Sequence, residues 1–437
     1  MLDKNKAREI IQSVTAQTKN YAQVRITASE QGTTRFANSE ISQNVSVADA
    51  TVTLTVYDGK KEAIASTNVL TPEGLTQLAK DANALLRHVP EGEFEAFPFS
   101  AEAVEEVPYN DTLGKAFGVP ERAAYIKEGI AQLEKGYNAS GALVFKQTAI
   151  ALGDSKGAFR YGAYPNVEFN TVVMSACGSD GAGECCSYTS VPDITAQFKK
   201  AMATAKVARN PVAPELGAHT VVLSPLAFGD LVSFLSYMHS AKSVDDGVSY
   251  AAGKLGQKVF GDVLTIRDDA SHPELRPQRF DMEGNPCKAL SLIENGVVKS
   301  YLYDNKRAKK HGVPTTGHSA GYPGGYPANI LVDAGDTPLA DIIASTKKGI
   351  FINEFHYTNF VNPRNLQITG LTRNGAFLIE DGKLSAPIST VRFTESLLEA
   401  FSNITAISIE REKIAGYLGI SLMPAVRIEG FHFTSKA

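Results

Sequence analysis

The sequence predicts an α+β protein, with a mixed α/β N-terminal domain over residues 1–210 and a β-rich C-terminal domain over residues 211–437. Three observations predict it. Helical and alternating β-branched patterns follow one another irregularly in the first half. The stretch "RNPVAPELGA" (209–218) then interrupts every periodic pattern with Pro and Gly, and beyond it strand-like runs outnumber helical ones. At 437 residues the chain is long enough for two or three domains of roughly 100–200 residues each.

Composition narrows the classes of function. Lys plus Arg number 43 against 47 Asp plus Glu, a balance that argues against a strongly basic nucleic-acid footprint. Four cysteines, with Cys185 and Cys186 adjacent, make a poor disulfide framework and point to a reducing, cytoplasmic setting. The opening "MLDKNKAREIIQSVTAQ" lacks the apolar core of a signal peptide, and no later run offers about 18 uncharged apolar residues. A soluble protein without a membrane partner is expected.

Taken in order, Lys4 to Lys19 carries Ala7, Ile10, Ile11 and Val14 at helical spacing. Alternation in "TVTLTVY" (51–57) marks a strand, and Asp58-Gly59 supplies a hairpin turn. Thr71 and Pro72 open a helix, and His88 near its end reads as a charge at a helix C-terminus. A Pro/Glu-rich link leads to a helix over Glu121–Tyr137. Strand-like runs follow at Ser140–Leu152, Gly157–Gly162 and Val167–Ala176. Asp193–Ala208 places Ile194, Phe198, Met202 and Ala205 on one helical face.

In the second half, "HTVVLSP" (219–225) is a strand, and "GDLVSFLSYMHS" (229–240) a helix with Leu231, Phe234, Leu235 and Met238 as its packing stripe and Asp230 as its cap. Further strands are expected near Val263–Arg267, Leu290–Val298, Gly349–Phe355, Ala376–Glu380 and Ala425–Phe433. Helices are expected at Asn305–His311, Pro338–Lys347 and Thr394–Ala400. Glu294-Asn295-Gly296 and Glu380-Asp381-Gly382 read as two hairpin turns.

Candidate sites are few. Cys177, Cys185 and Cys186 lack the Cys-x2-4-Cys spacing of a zinc knuckle. No P-loop or Gly-x-Ser-x-Gly elbow occurs, and Lys306, Arg307, Lys309 and Lys310 read first as a solvated helix face. The run "KKHGVPTTGHSAGYPGGYPAN" (309–329) carries five glycines and three prolines with His318, Tyr322 and Tyr326. It reads as a loop lining a groove or partner interface, or else as a long crossover packed by its tyrosines. Glu354 and His356 alternate along a strand and so share a face, compatible with an acid/base, metal or peptide-contacting pair, although a third ligand is not identifiable. His239 has no second histidine one helical turn away, so its helix by itself predicts packing.

Over nearly its full length the chain also resembles the PmbA/TldD family, in its TldE/PmbA-like branch. The residues that carry the likeness are "VVLSPLAFGDLVSFL", "PLADIIASTKKGIFINEFHYTNFVNPRN", "LTRNGAFLIEDGKLSAPISTVRF" and "AVRIEGFHF". The resemblance implies a metal-bearing TldD-type subunit and a TldE-type partner around an enclosed proteolytic chamber. TldD-type subunits carry a His-Glu, three residues, His motif, and the matching positions here are Ser233, Phe234 and Met238. A late cysteine ligand is also missing, since none follows Cys287. The resemblance therefore implies no metal in this chain, zinc in a TldD-like partner, and a role in proteolysis or maturation of unfolded peptides. Two other readings stand beside it: an independent peptidase with an unrecognised site, and a peptide-binding or regulatory protein without catalysis, of which the family's older name, modulator of DNA gyrase, is one version. Self-association is an alternative to the mixed complex.

Overall fold

The structure, a computed structural model, describes residues 2–108, 111–176 and 178–436. Two sheets organise it. The first is wholly antiparallel and built from β1 (Ala22–Ala37), β2 (Glu40–Asp58), β3 (Lys61–Thr67), β4 (Tyr137–Asp154), β5 (Phe159–Ser175) and β6 (Asp180–Ser187), in the order β3-β2-β1-β4-β5-β6. Gly59, at a positive φ of 57°, turns β2 into β3. Helices α1 (Lys4–Thr15) and α2 (Pro72–Leu85) close one apolar end of this sheet. The short α3 (Asp111–Ala116), with α4 (Val119–Ile130) and α5 (Ile194–Val207), closes the other. Ala7, Ile10, Ile11 and Val14 of α1 are buried as their spacing predicts, and so are Ile194, Phe198, Met202 and Ala205 of α5.

The second part runs β7 (Gly217–Leu223), α6 (Pro225–Tyr237), α7 (Ala241–Asp245), β8 (Ile266–Asp268), β9 (Leu290–Glu294), β10 (Val297–Val298), α8 (Asn305–His311), β11 (Ile330–Val332) and α9 (Leu339–Ala344). It continues with β12 (Lys348–Asn362), β13 (Gln367–Glu380), β14 (Lys383–Pro387), β15 (Val391–Ser396), α10 (Leu397–Ser402), β16 (Ile404–Gly416) and β17 (Gly419–Lys436). Its sheet follows the order β10-β9-β8-β11-β17-β15-β13-β12-β7. Because β7 also pairs with β17, the strands β17, β15, β13, β12 and β7 form a closed circuit. Closure removes free edges within the circuit, while β10 ends the open arm and β14 and β16 pair alongside β13 and β17.

Helix α6 lies against this circuit. Leu231, Val232 and Leu235 are fully buried among Ile350, Ile352, Met423, Val426 and Phe401. It approaches closely at Gly229, where a Cβ would stand 1.9 Å from Ile414 Cδ1 and 3.1 Å from Met423 Cγ. Glycine is what lets the helix and β16 meet.

Several boundaries differ from the sequence reading, each for a local reason. The first helix stops at Thr15 rather than near Lys19, and the one over 119–130 ends before Tyr137, which starts β4. The runs expected at Gly157–Gly162 and Val167–Ala176 fall largely within one strand, β5, which spans Phe159–Ser175. Pro165 sits in the stretch that β6 leaves uncovered, an edge-like position that tolerates proline. Thr394 and Glu395 are in β15, and the helix begins only at Leu397. Asp230 does not cap α6. Ser224 does, its hydroxyl accepting from the Ala227 amide at 3.2 Å with Pro225 in the first turn. Ser233 and Ser236 are buried as well, so α6 is enclosed on more faces than a single stripe implies. Asn305–His311 forms with those bounds, between an Asp304 cap and Gly312 at a φ of 66°. Both expected hairpin turns form, with Asn295-Gly296 and Asp381-Gly382 all at positive φ.

The close approach at Gly229 makes a specific demand. Gly229→Ala is expected to cost about 1–3 kcal/mol of stability through overpacking, read as an earlier thermal unfolding transition. An unshifted transition contradicts this packing.

Candidate functional site

Ser233, Phe234 and Met238, at the positions where the resemblance puts a metal motif, are committed to packing. Ser233 Oγ donates to the Gly229 carbonyl at 2.9 Å, one turn back in its own helix. The Phe234 ring meets Phe360 of β12 edge-on at 4.9 Å between centroids. Met238 is buried in the core at the C-cap of α6. None of the three offers an imidazole or carboxylate, so these residues do not fit a zinc ion. Among the described residues no group of three or more His, Cys, Asp or Glu side chains is arranged to hold a metal.

His239, next in the chain, is fully buried. Its Nδ1 lies 2.8 Å from the Ser300 carbonyl and its Nε2 2.6 Å from the Tyr250 hydroxyl. A carbonyl only accepts, so Nδ1 carries the hydrogen, and Nε2 of the neutral ring accepts a hydrogen bond from the Tyr250 hydroxyl. Burial drives the imidazole pKa from 6.5 down to about 4. Both nitrogens are engaged inside the protein, and the histidine is structural.

The Gly/Pro loop is anchored on both sides. Tyr326 is buried and its ring stacks on Tyr237, the last residue of α6, at 5.0 Å. Tyr322, half exposed, meets Tyr326 at 4.9 Å. The Ser319 amide donates to Asp281 Oδ2 at 3.1 Å and the Gly324 amide to Asp304 Oδ2 at 2.7 Å. Arg25 of β1 donates to the Gly321 carbonyl at 3.2 Å, which joins the loop to the first sheet. His318 is buried, with Nδ1 2.8 Å from the Thr316 carbonyl and Nε2 3.3 Å from Asp268 Oδ1. Both readings of the loop thus apply to parts of it: Tyr326 packs the crossover, while Tyr322 and His318 line a cavity beneath it.

Glu354 and His356 flank Phe355, whose ring packs on Phe393 and Phe431 in the core. Their contacts diverge. Glu354 Oε2 accepts from Asn374 Nδ2 at 2.7 Å, whereas the His356 ring lies 4.0 Å from that of Tyr357. Burial raises the Glu354 pKa and lowers that of His356. Sequence reasoning missed two acidic neighbours. Burial pushes Asp230 of α6 up to about 6, and burial with the charge of Glu354 pushes Glu184 of β6 up to about 8. No local pattern signals them, because they come from three separated elements. Cys185 and Cys186 are free thiols held high by burial, and Cys177 lies outside the described residues.

The features together define a two-part α+β protein whose β-rich half packs around a buried helix, α6. The chain belongs to the PmbA/TldD family: residues 216–435 match the PmbA/TldA metallopeptidase C-terminal domain and residues 22–86 match PmbA/TldA metallopeptidase domain 1. It is 28% identical over 271 residues to an uncharacterised protein of Methanocaldococcus jannaschii, covering 60% of this chain and 62% of that one. With the metalloprotease TldD homolog of Haemophilus influenzae it shares 29% identity over 174 residues, 38% of this chain and 35% of the relative. The chain thus matches less than two thirds of either relative's length. The fold is that of TldE from Thermococcus kodakarensis, with a TM-score of 0.86 at 21% identity, covering 98% of this chain and 100% of that structure. No helix among the described residues is long and apolar enough to cross a membrane.

The His239 environment sets a pH dependence. Its folded pKa lies below the unfolded value of 6.5, so the unfolded state binds the extra proton on acidification. Its stabilisation is complete above pH 6.5 and is lost as pH falls toward about 4, on the order of 3 kcal/mol in all. Denaturant titrations across this range are expected to show the slope in the native protein and a shallower one in His239→Gln. Equal slopes contradict the assignment.

Proposed function

We propose that this chain is the non-metallated, TldE/PmbA-like subunit of a cytoplasmic zinc metallopeptidase complex, acting in proteolysis or maturation of unfolded peptides. The observation that carries the reading is the identity and packing of Ser233, Phe234 and Met238, which give α6 a structural role where a catalytic subunit needs ligands and a general base. The likeness in fold to a TldE supports it. Zinc and the water-activating carboxylate then come from a TldD-like partner, and this chain supplies surface for the partner and for peptide, with His318, Tyr322, Tyr326, Glu354 and His356 as candidate contacts. Free Cys185, Cys186 and Cys287 are in keeping with a reducing compartment.

An independent peptidase centred on Glu354 and His356 gains no support, since the two side chains engage different neighbours. The test is cleavage of an unfolded peptide by this chain alone, by a zinc-loaded TldD-like subunit from the same genome alone, and by the mixture. Activity in the mixture well above either component is expected. Cleavage by this chain alone, without partner, refutes the assignment.

A further inference from the structure

Beneath the Gly/Pro loop lies a cavity of about 210 Å³. Its walls come from β8, from the segment that follows β8, from the loop itself and from the tight turn between β16 and β17. Several buried polar atoms on the side chains that line it lack hydrogen-bond partners. Gln278 Oε1 is one, its orientation fixed because Nε2 donates to the Phe280 carbonyl at 2.6 Å. Asn329 Oδ1, Arg276 Nε, Asp268 Oδ1 and His318 Nε2 are the others. Asp268 adds a charge. Its Oδ2 is held by the Ala328 and Asn329 amides at 2.6 and 3.2 Å, which leaves Oδ1 beside His318 Nε2. Asp268, Gln278 and Asn329 are 1%, 8% and 3% exposed, so bulk water does not satisfy them.

The set has a definite chemical complement. These three acceptor oxygens, one of them the anionic Asp268 Oδ1 that also faces His318 Nε2, can accept from the three N–H bonds of a primary ammonium, and the Arg276 donor suits a neighbouring carbonyl oxygen. An ammonium beside a carbonyl is the first residue of a peptide. The entrance suits a side chain as well. Tyr322 and Tyr417 both line the cavity, at 54% and 88% exposure. The turn is shaped for this wall. A Cβ at Gly419 would lie 2.8 Å from Arg276 Nη2 and 3.1 Å from the Tyr188 hydroxyl, at a φ of 103° that disfavours other residues.

We propose that this cavity captures the free N-terminus of a peptide, its ammonium held by Asp268, Gln278 and Asn329 and its first carbonyl by Arg276. The inference rests on the peptide-handling role proposed above, yet it concerns this chain by itself. It is tested by calorimetric titration of the full chain, without any partner, with trialanine amide and with N-acetyl trialanine amide. The free amine is expected to bind and acetylation to weaken binding by about 10-fold or more, the scale of a lost charge-assisted hydrogen bond. Tyr417→Ala, at an exposed turn position, is expected to weaken binding of the free amine while the thermal transition stays in place. Gln278→Leu is expected to weaken it further. Equal binding of both peptides, or binding of neither, overturns the proposal and leaves the cavity to ordered water. Complex formation with a TldD-like subunit in the same preparation separates the two claims, because a chain that assembles but does not discriminate amines contradicts this inference alone.

Discussion

The close packing of α6 on the closed strand circuit is the constraint on which the rest of the structure depends. With Gly229 against Ile414 and Met423, rotating the helix or lifting it off the strands would disrupt close packing. Its position fixes everything attached to it. Phe234 meets β12, Tyr237 carries the stacked Tyr326 of the Gly/Pro loop, and His239 ties the chain after the helix to Ser300 and Tyr250. A helix that presented metal ligands would have to spare side chains from packing to face an open site. Here they are spent on the core.

The loop over 312–329 shows how this scaffold builds a surface from residues of low intrinsic order. Its prolines lack a backbone N–H and its only β-pairing among the described residues is the bridge between Ser319 and Gly325, so two of its amides go to buried carboxylates, Ser319 to Asp281 and Gly324 to Asp304. The consequence is a rigid roof whose remaining polar groups are left for something else. Arg25 of β1 reaches Gly321, so the first sheet takes part in holding that roof, and the two halves of the chain share one site region.

Much of this was legible in the sequence where a local rule decides the outcome. Asp304 and Gly312 bracket α8, Asn295-Gly296 and Asp381-Gly382 make their hairpins, and the apolar stripes of α1 and α5 are buried as their spacing requires. Reading failed where tertiary pairing overrides local signal. The runs Gly157–Gly162 and Val167–Ala176 fall largely in one strand across Pro165, α6 starts at Pro225 well before Asp230, and Thr394 pairs with Thr369 in β15 rather than opening a helix. That Ser233, Phe234 and Met238 offer no imidazole or carboxylate was readable from their identities. The gathering of Asp268, Gln278 and Asn329, and of Glu184, Asp230 and Glu354, was not, because each set joins segments far apart in sequence with no shared period.

The central claim is that α6 is a packing helix and that catalysis by the complex needs metal from another chain. Elemental analysis of this chain, purified alone after expression with added zinc, tests it most directly. The account predicts zinc far below one ion per chain, unchanged when Ser233 and Met238 are replaced by alanine. Stoichiometric zinc that disappears with those replacements would contradict it.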